Sequence, residues 1–195
     1  MIRESIITTL SAAGELHIAP MGVIWQGEFP VLAPFRPSQT LANLVVVPFA
    51  VINHTDDVRV FAGCLTGRRD FPVRPADRVH GAVLLGALSH QEIAVDSVEE
   101  DPQRPRFRCR VVHEAAHAPF RGFNRAQAAV IEAAILVSRL DLLPFEKIDR
   151  EMEYLAIAVG KTAGPVEQEA WSWLAARVDD FRNRRVHAAT EKDAP

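Results

Sequence analysis

Arg36, Ser38 and Thr40 sit close together in the segment Pro34-Phe35-Arg36-Pro37-Ser38-Gln39-Thr40. A guanidinium offers a rigid fork of donors matched to phosphate oxygens. Ser38 and Thr40 add hydroxyls, and either can cap a helix that runs until Pro48 stops it. The free amides at such a helix start complete an anion cradle. The same residues also make an ordinary capped helix beside a surface arginine. Just upstream, His17-Ile18-Ala19-Pro20-Met21-Gly22 is small, apolar and glycine-ended. A flat ring can lie close to such a strand, with Met21 as a soft, polarizable contact, or the strand can simply be irregular there. Asn43, Asn53 and Thr55 add polar groups in the segments that follow.

Two other motifs carry less. His113-Glu114-Ala-Ala-His117 matches the spacing of a zinc-protease helix. It follows an alternating strand, and Pro119 closes it too soon for a helix, so no metal is expected. Gly160-Lys161-Thr162 resembles the end of a phosphate loop, but Leu155 stands where that loop needs its first glycine. Gly160 is expected to be a helix C-cap instead. Neither Cys64 nor Cys109 has a histidine placed beside it by sequence.

The elements that position these residues read as strands first and helices last. Ser5–Leu10 and Leu16–Ile24 flank the turn Ala13-Gly14-Glu15 and predict a hairpin. Phe29–Pro34 and Ala50–Asn53 are short apolar strands, and Asp56-Asp57 can start a short helix toward Gly63. Val79–Val95 reads as one long bent strand. Phe107, Cys109 and Val111 alternate with Arg106, Arg108 and Arg110, a period of two with a basic outer face. That face is either plain solvated surface or a hold for an acidic partner. Helices are predicted over Arg125–Leu143 with Asn124 as cap, over Phe145–Val159, and over Pro165–Arg185. Arg125, Glu132 and Arg139 recur every seven residues and form one charged stripe on an otherwise apolar helix. Such a helix must be buried on most sides, which predicts a subunit interface.

The chain of 195 residues is 48% hydrophobic and 24% charged, with a net charge of −3. That composition supports a folded core and excludes a strongly basic nucleic-acid binder or a polybasic membrane protein. Two cysteines cannot build a disulfide scaffold and suit a reducing compartment. The first ten residues lack a signal-peptide core, and no apolar run approaches the ~20 residues needed to span a bilayer. A cytoplasmic location is expected.

The order of these motifs resembles the DUF447 family, within the FMN-binding split-barrel superfamily of flavin reductases and pyridoxamine-phosphate oxidases. The residues that carry the resemblance are His17 to Gly22, Pro34-Phe35, Ser38, Thr40, Asn43-Leu44, Asn53, Thr55-Asp56 and Phe61. Gly122 to Ala126, Val130 to Ala133, Ser138 to Leu140 and Lys161-Thr162 extend it. The resemblance implies an α+β fold, a six-stranded split β-barrel with a C-terminal helical region. It implies an FMN-binding barrel region over 1–122, a helical region over 123–187 packed on the barrel and contributing a dimer interface, and a flexible tail over 188–195. It implies a homodimer binding FMN, with Arg36, Ser38 and Thr40 at the phosphate. His17, Ala19, Pro20, Met21 and Gly22 would lie beside the isoalloxazine, and Asn43, Asn53 and Thr55 at the ring edge or ribityl chain. The function implied is a flavin-dependent oxidoreductase of unknown substrate. The alternative is a non-enzymatic flavin carrier, sensor or accessory protein near a methanopterin-linked one-carbon pathway.

Overall fold

The computed structural model describes residues 1–192 and divides into two compact units. The first comprises Met1–Asp56 and Asp70–Arg121, and the second comprises Asp57–Arg69 together with the chain from Gly122 onward.

The first unit is a closed barrel with strand order β1-β2-β3-β8-β7-β4. Its strands are β1 (Ile2–Leu10), β2 (Leu16–Gln26), β3 (Phe29–Leu32), β4 (Phe49–His54), β7 (Ser89–Glu99) and β8 (Arg106–Ala116). β5 (Val73–Pro75) and β6 (Ala82–Leu84) form a separate two-stranded arm. The predicted hairpin is present: β1 and β2 pair from Leu10↔Leu16 to Ile2↔Ile24. Gly14 supplies the positive φ of +82° that its turn demands. Alternation divides each strand between two faces. Ile7, Val23, Leu32, Ile52, Ile93 and Phe107 share the barrel's inner core, and Leu41 and Leu44 of helix α1 (Gln39–Val46) pack into the same core.

The opposite face of β1, β4 and β7 is also dry. Ile6, Thr8, Val51, Asn53, His90 and Glu92 are each fully buried. The β5–β6 arm accounts for part of this: the Thr8 hydroxyl donates to the Ala82 carbonyl, and the Leu84 amide donates to Asn53 Oδ1 at 2.9 Å. The single strand predicted over 79–95 is therefore two strands. The chain turns between β6 and β7, where the Ala87 amide bonds to the Leu84 carbonyl and the Leu88 amide to the His54 carbonyl. An apolar run reads alike whether it is one strand or two strands buried in different places.

The second unit holds α2 (Arg59–Leu65), α3 (Arg125–Val137), α4 (Phe145–Thr162) and α5 (Pro165–Lys192). The helix predicted to Leu143 ends at Val137, because Arg139 and Leu142 enter successive tight turns. Gly160 is inside α4 and is not its cap. Asn124 Nδ2 donates to the Thr162 carbonyl at 3.1 Å, so the N-cap side chain of the preceding helix α3 does the work assigned to glycine. α3 is the buried helix of this unit: Val130 and Ala133 pack with Val58, Ala62, Ile148, Met152 and Leu174. Arg125 and Glu132 remain on its exposed side, and Arg139, also exposed, lies in the turn beyond its end. Its apolar girth is thus used within one chain, which removes the sequence argument that it must form a subunit interface.

The tail region 188–195 is covered by α5 as far as Lys192, and residues 193–195 lie outside the described residues. Among the described residues no helix is long and apolar enough to cross a membrane.

Candidate functional site

The anion-binding candidate is built where β3 hands over to α1. Ser38 is extended (φ −153°, ψ 152°) and its Oγ accepts the Leu41 amide at 3.2 Å, an N-cap. The amides of Gln39 and Thr40 fall in the first turn, where a helix supplies no acceptor of its own. Arg36 stands before a cis Arg36–Pro37 bond, with its side chain 43% exposed. Its guanidinium reaches Glu100 Oε2 at 2.8 Å and the Asp101 carbonyl at 3.4 Å. Such an exposed pair holds by ~0–1 kcal/mol and yields readily to a better acceptor. Thr40 itself is buried, 3% exposed.

The β2 segment does not present one surface. His17, Ala19 and Met21 pair across from Thr9, Ile7 and Ser5, and Met21 packs against the inner core. Pro20 and Gly22 pair across from Ile6 and Glu4 and lie on the other face. A flat ring can touch one set, not both. At Gly22 the space that a Cβ would take already holds Ile2 Cγ2 at 2.8 Å and Glu4 Oε1 at 3.2 Å. Glycine there serves the packing of β1 on β2 rather than the approach of a ligand.

The polar residues are similarly divided. Asn43 is 2% exposed; its amide donates to Thr9 Oγ1 at 2.9 Å and its Oδ1 accepts from Gln39 at 2.8 Å. Asn53 is fully buried: its Nδ2 bonds to the carbonyls of Ile6 and Val51 and to Thr8 Oγ1, and its Oδ1 takes the Leu84 amide. With all of these bonds made inside the protein, Asn53 ties the β5–β6 arm to the barrel and has no face left for a ligand. Thr55 is partly exposed and donates to the Gly86 carbonyl at 3.0 Å. The structure thus brings Ser38, Thr40 and Asn43 together at α1, with Arg36 two residues before the cap and its guanidinium turned to Glu100 and Asp101. Through the Asn43–Thr9 bond it sets the α1 residues beside His17, the strand partner of Thr9.

At the other end of the barrel a cavity of about 540 Å³ is lined by Arg3, Trp25, His54, Gln91 and Glu114 among others. Trp25 Nε1 is buried without a hydrogen-bond partner. Burial holds His54 below the usual imidazole range against the opposing bond to Gln91.

Sequence reading missed a second cluster. β8 runs as a strand through Ala116, so His113 and His117 are not on a helix. The pairing of Glu92 with His113 and of His90 with Ala115 nevertheless sets the histidines of β7 and β8 on one face. Asp77, from the loop between β5 and β6, completes a group with His90, Glu92 and His113. His90 Nδ1 lies 2.8 Å from His117 Nε2, and the two rings stack. Burial lowers the His90 pKa more than Glu92 raises it. Burial pushes the Glu92 carboxyl up, but the amides of Asp77, Arg78 and Val79 together outweigh that and hold it below its usual range. The H-x-x-x-H spacing was visible in the sequence; its partners, Asp77, His90 and Glu92, come from elements that only strand pairing brings near.

The basic face of β8 is engaged within the barrel. Arg110 pairs with Asp96, Arg106 lies 3.6 Å from Glu99, and the Arg108 guanidinium sits 4.1 Å above the Phe29 ring.

A six-stranded closed barrel with this order and added helices is the flavin reductase-like split barrel. The chain belongs to the DUF447 family: residues 3–118 match the model described as Protein of unknown function (DUF447) N-terminal domain, and residues 124–176 match Protein of unknown function (DUF447). Among solved structures, an FMN-bound DUF447 protein from Methanosarcina mazei is similar at a TM-score of 0.79 and 20% identity, over 90% of this chain and 94% of that one. The 2-nitrobenzoate 2-nitroreductase of Pseudomonas fluorescens matches at a TM-score of 0.52 and 19% identity, over 58% of this chain and 64% of that one. A putative flavin reductase from Haemophilus somnus matches at 0.50 and 11% identity, over 58% and 80%. No protein of curated description matches the sequence.

Proposed function

We propose that this protein binds FMN as a homodimer and works as a flavin-dependent oxidoreductase. The observation that carries the reading is the start of α1. Capped by Ser38, with the unclaimed amides of Gln39 and Thr40 and with Arg36 alongside, it has the donor set that a terminal phosphate requires. A charge-assisted bond from Arg36 to phosphate outweighs its exposed pairing with Glu100. The His17–Ala19 end of β2 would flank the ring, because the Asn43–Thr9 bond places that face beside α1. Asn43 and Asn53 act as scaffold. The FMN-bound relative supports the choice of flavin.

FMN supplies the hydride chemistry; this chain supplies position and electrostatics. The homodimer is supported by apolar side chains left in water at the end of α1, Val45 at 70% and Val46 at 60% exposure.

The test is size-exclusion chromatography of the purified protein with added FMN. Flavin absorbance should co-elute with a dimer. Arg36→Ala should weaken retention of FMN about tenfold or more, and that of riboflavin little, since only FMN carries the phosphate. Absence of retained flavin at high protein concentration overturns the reading. Reduction of the bound FMN by NADH or NADPH no faster than that of free FMN would identify a carrier instead of an oxidoreductase.

A further inference from the structure

The histidine–carboxylate cluster on the outer face of β7 and β8 is not used by the flavin reading. His90 Nε2 lies 3.3 Å from Glu92 Oε1 and 3.8 Å from Asp77 Oδ2. His113 Nε2 lies 3.7 Å from the same Asp77 oxygen. All four ligand atoms fall within 4.8 Å of one another. Around a tetrahedral ion with bonds of about 2.0–2.1 Å, ligand atoms are separated by roughly 3.3–3.4 Å, so the three separations of 3.3, 3.7 and 3.8 Å lie within about half an ångström of that value, and the widest pair, at no more than 4.8 Å, closes by at most about 1.5 Å.

We propose that Asp77, His90, Glu92 and His113 hold one divalent transition-metal ion of the zinc class. Two imidazoles and two carboxylates favour such an ion over Mg²⁺ or Ca²⁺, which take oxygen ligands. The groups around the site are those that orient ligands elsewhere. His117 Nε2 meets the far nitrogen of His90 at 2.8 Å and fixes that ring. Arg74 donates twice to Asp77 Oδ2 at 3.1 Å. The Glu92 carboxylate is held by the amides of Asp77, Arg78 and Val79 at 2.6, 2.7 and 2.9 Å. His90 and Glu92 are fully buried, whereas the side chains of His113 and Asp77 are 31% and 46% exposed. One side of the site is therefore fixed in the fold and the other is open to an entering ion.

The test uses the full chain, stripped with chelator and then titrated with Zn²⁺ by calorimetry, with and without FMN. One equivalent of Zn²⁺ per chain is expected. His113→Ala and Asp77→Asn, both at partly exposed positions, should each weaken uptake at least tenfold while far-UV circular dichroism stays unchanged. His80→Ala, at an exposed histidine of the same β5–β6 loop, should leave it unaltered. Absence of stoichiometric uptake would overturn the proposal and leave a hydrogen-bonded His117–His90–Glu92 chain. Equal affinity in the His113 and Asp77 variants would do so as well, by placing the ion elsewhere. Neither result touches the FMN reading.

Discussion

At the scale of single residues, polar side chains that look alike in sequence do different work. Ser38→Ala removes a cap and should cost ~1 kcal/mol, read by urea denaturation. Asn53→Ala leaves the Leu84 amide buried without its acceptor and should cost ~1–3 kcal/mol in the same assay. Asn53 would therefore prove the more damaging, although only Ser38 belongs to the proposed phosphate site. The cysteines are a second contrast with surface chemistry. Burial pushes the Cys109 thiol up to about 12 and the Cys64 thiol up to about 11. Thiolate is then scarce near pH 8, and iodoacetamide should label neither thiol at an appreciable rate until the protein is unfolded. Rapid native-state labelling, followed by mass spectrometry, would contradict this assignment.

At the scale of elements, the hairpin β1–β2, the start of α1 and the three C-terminal helices were legible because periodicity and caps are local signals. The turn that splits 79–95 was not, because it is fixed in part by the bond of the Leu88 amide to the distant His54 carbonyl; the end of α3 was not either, because its tight turns at Arg139 and Leu142 carry no glycine or proline before Pro144 to mark them. α3 shows how tightly its element is packed. Ala133 is fully buried among α2, α4 and α5 residues, while Ala128 is exposed. Ala133→Leu should destabilise by ~1–3 kcal/mol through overpacking, and Ala128→Leu should change stability by less than ~0.5 kcal/mol, both measured by thermal denaturation. Comparable shifts for the two would mean that α3 has room that the packing denies.

At the scale of the whole molecule, the division into units does not follow a single cut of the chain. The segment Asp57–Arg69 leaves the barrel unit and gives Val58 and Ala62 to the helical core. A fragment of residues 122–195 therefore lacks part of its own core. It should fail to give a cooperative melt by circular dichroism, whereas the full chain should give one. Cooperative melting of the fragment would show that α2 is dispensable.

The sequence by itself determined the α+β class, the barrel-then-helices order and the residues at the start of α1, since each depends on neighbours within one or two turns or along one strand. It also carried enough ordered motif to place the chain near its family. Tertiary structure alone decided the rest. Strand alternation put Met21 and Gly22 on opposite faces, the β5–β6 arm buried Asn53, and pairing of β7 with β8 gathered Asp77, His90, Glu92 and His113. Side chains separated by tens of residues meet only when strand register is fixed, and register is set by the packing of both sheet faces rather than by any short stretch of sequence.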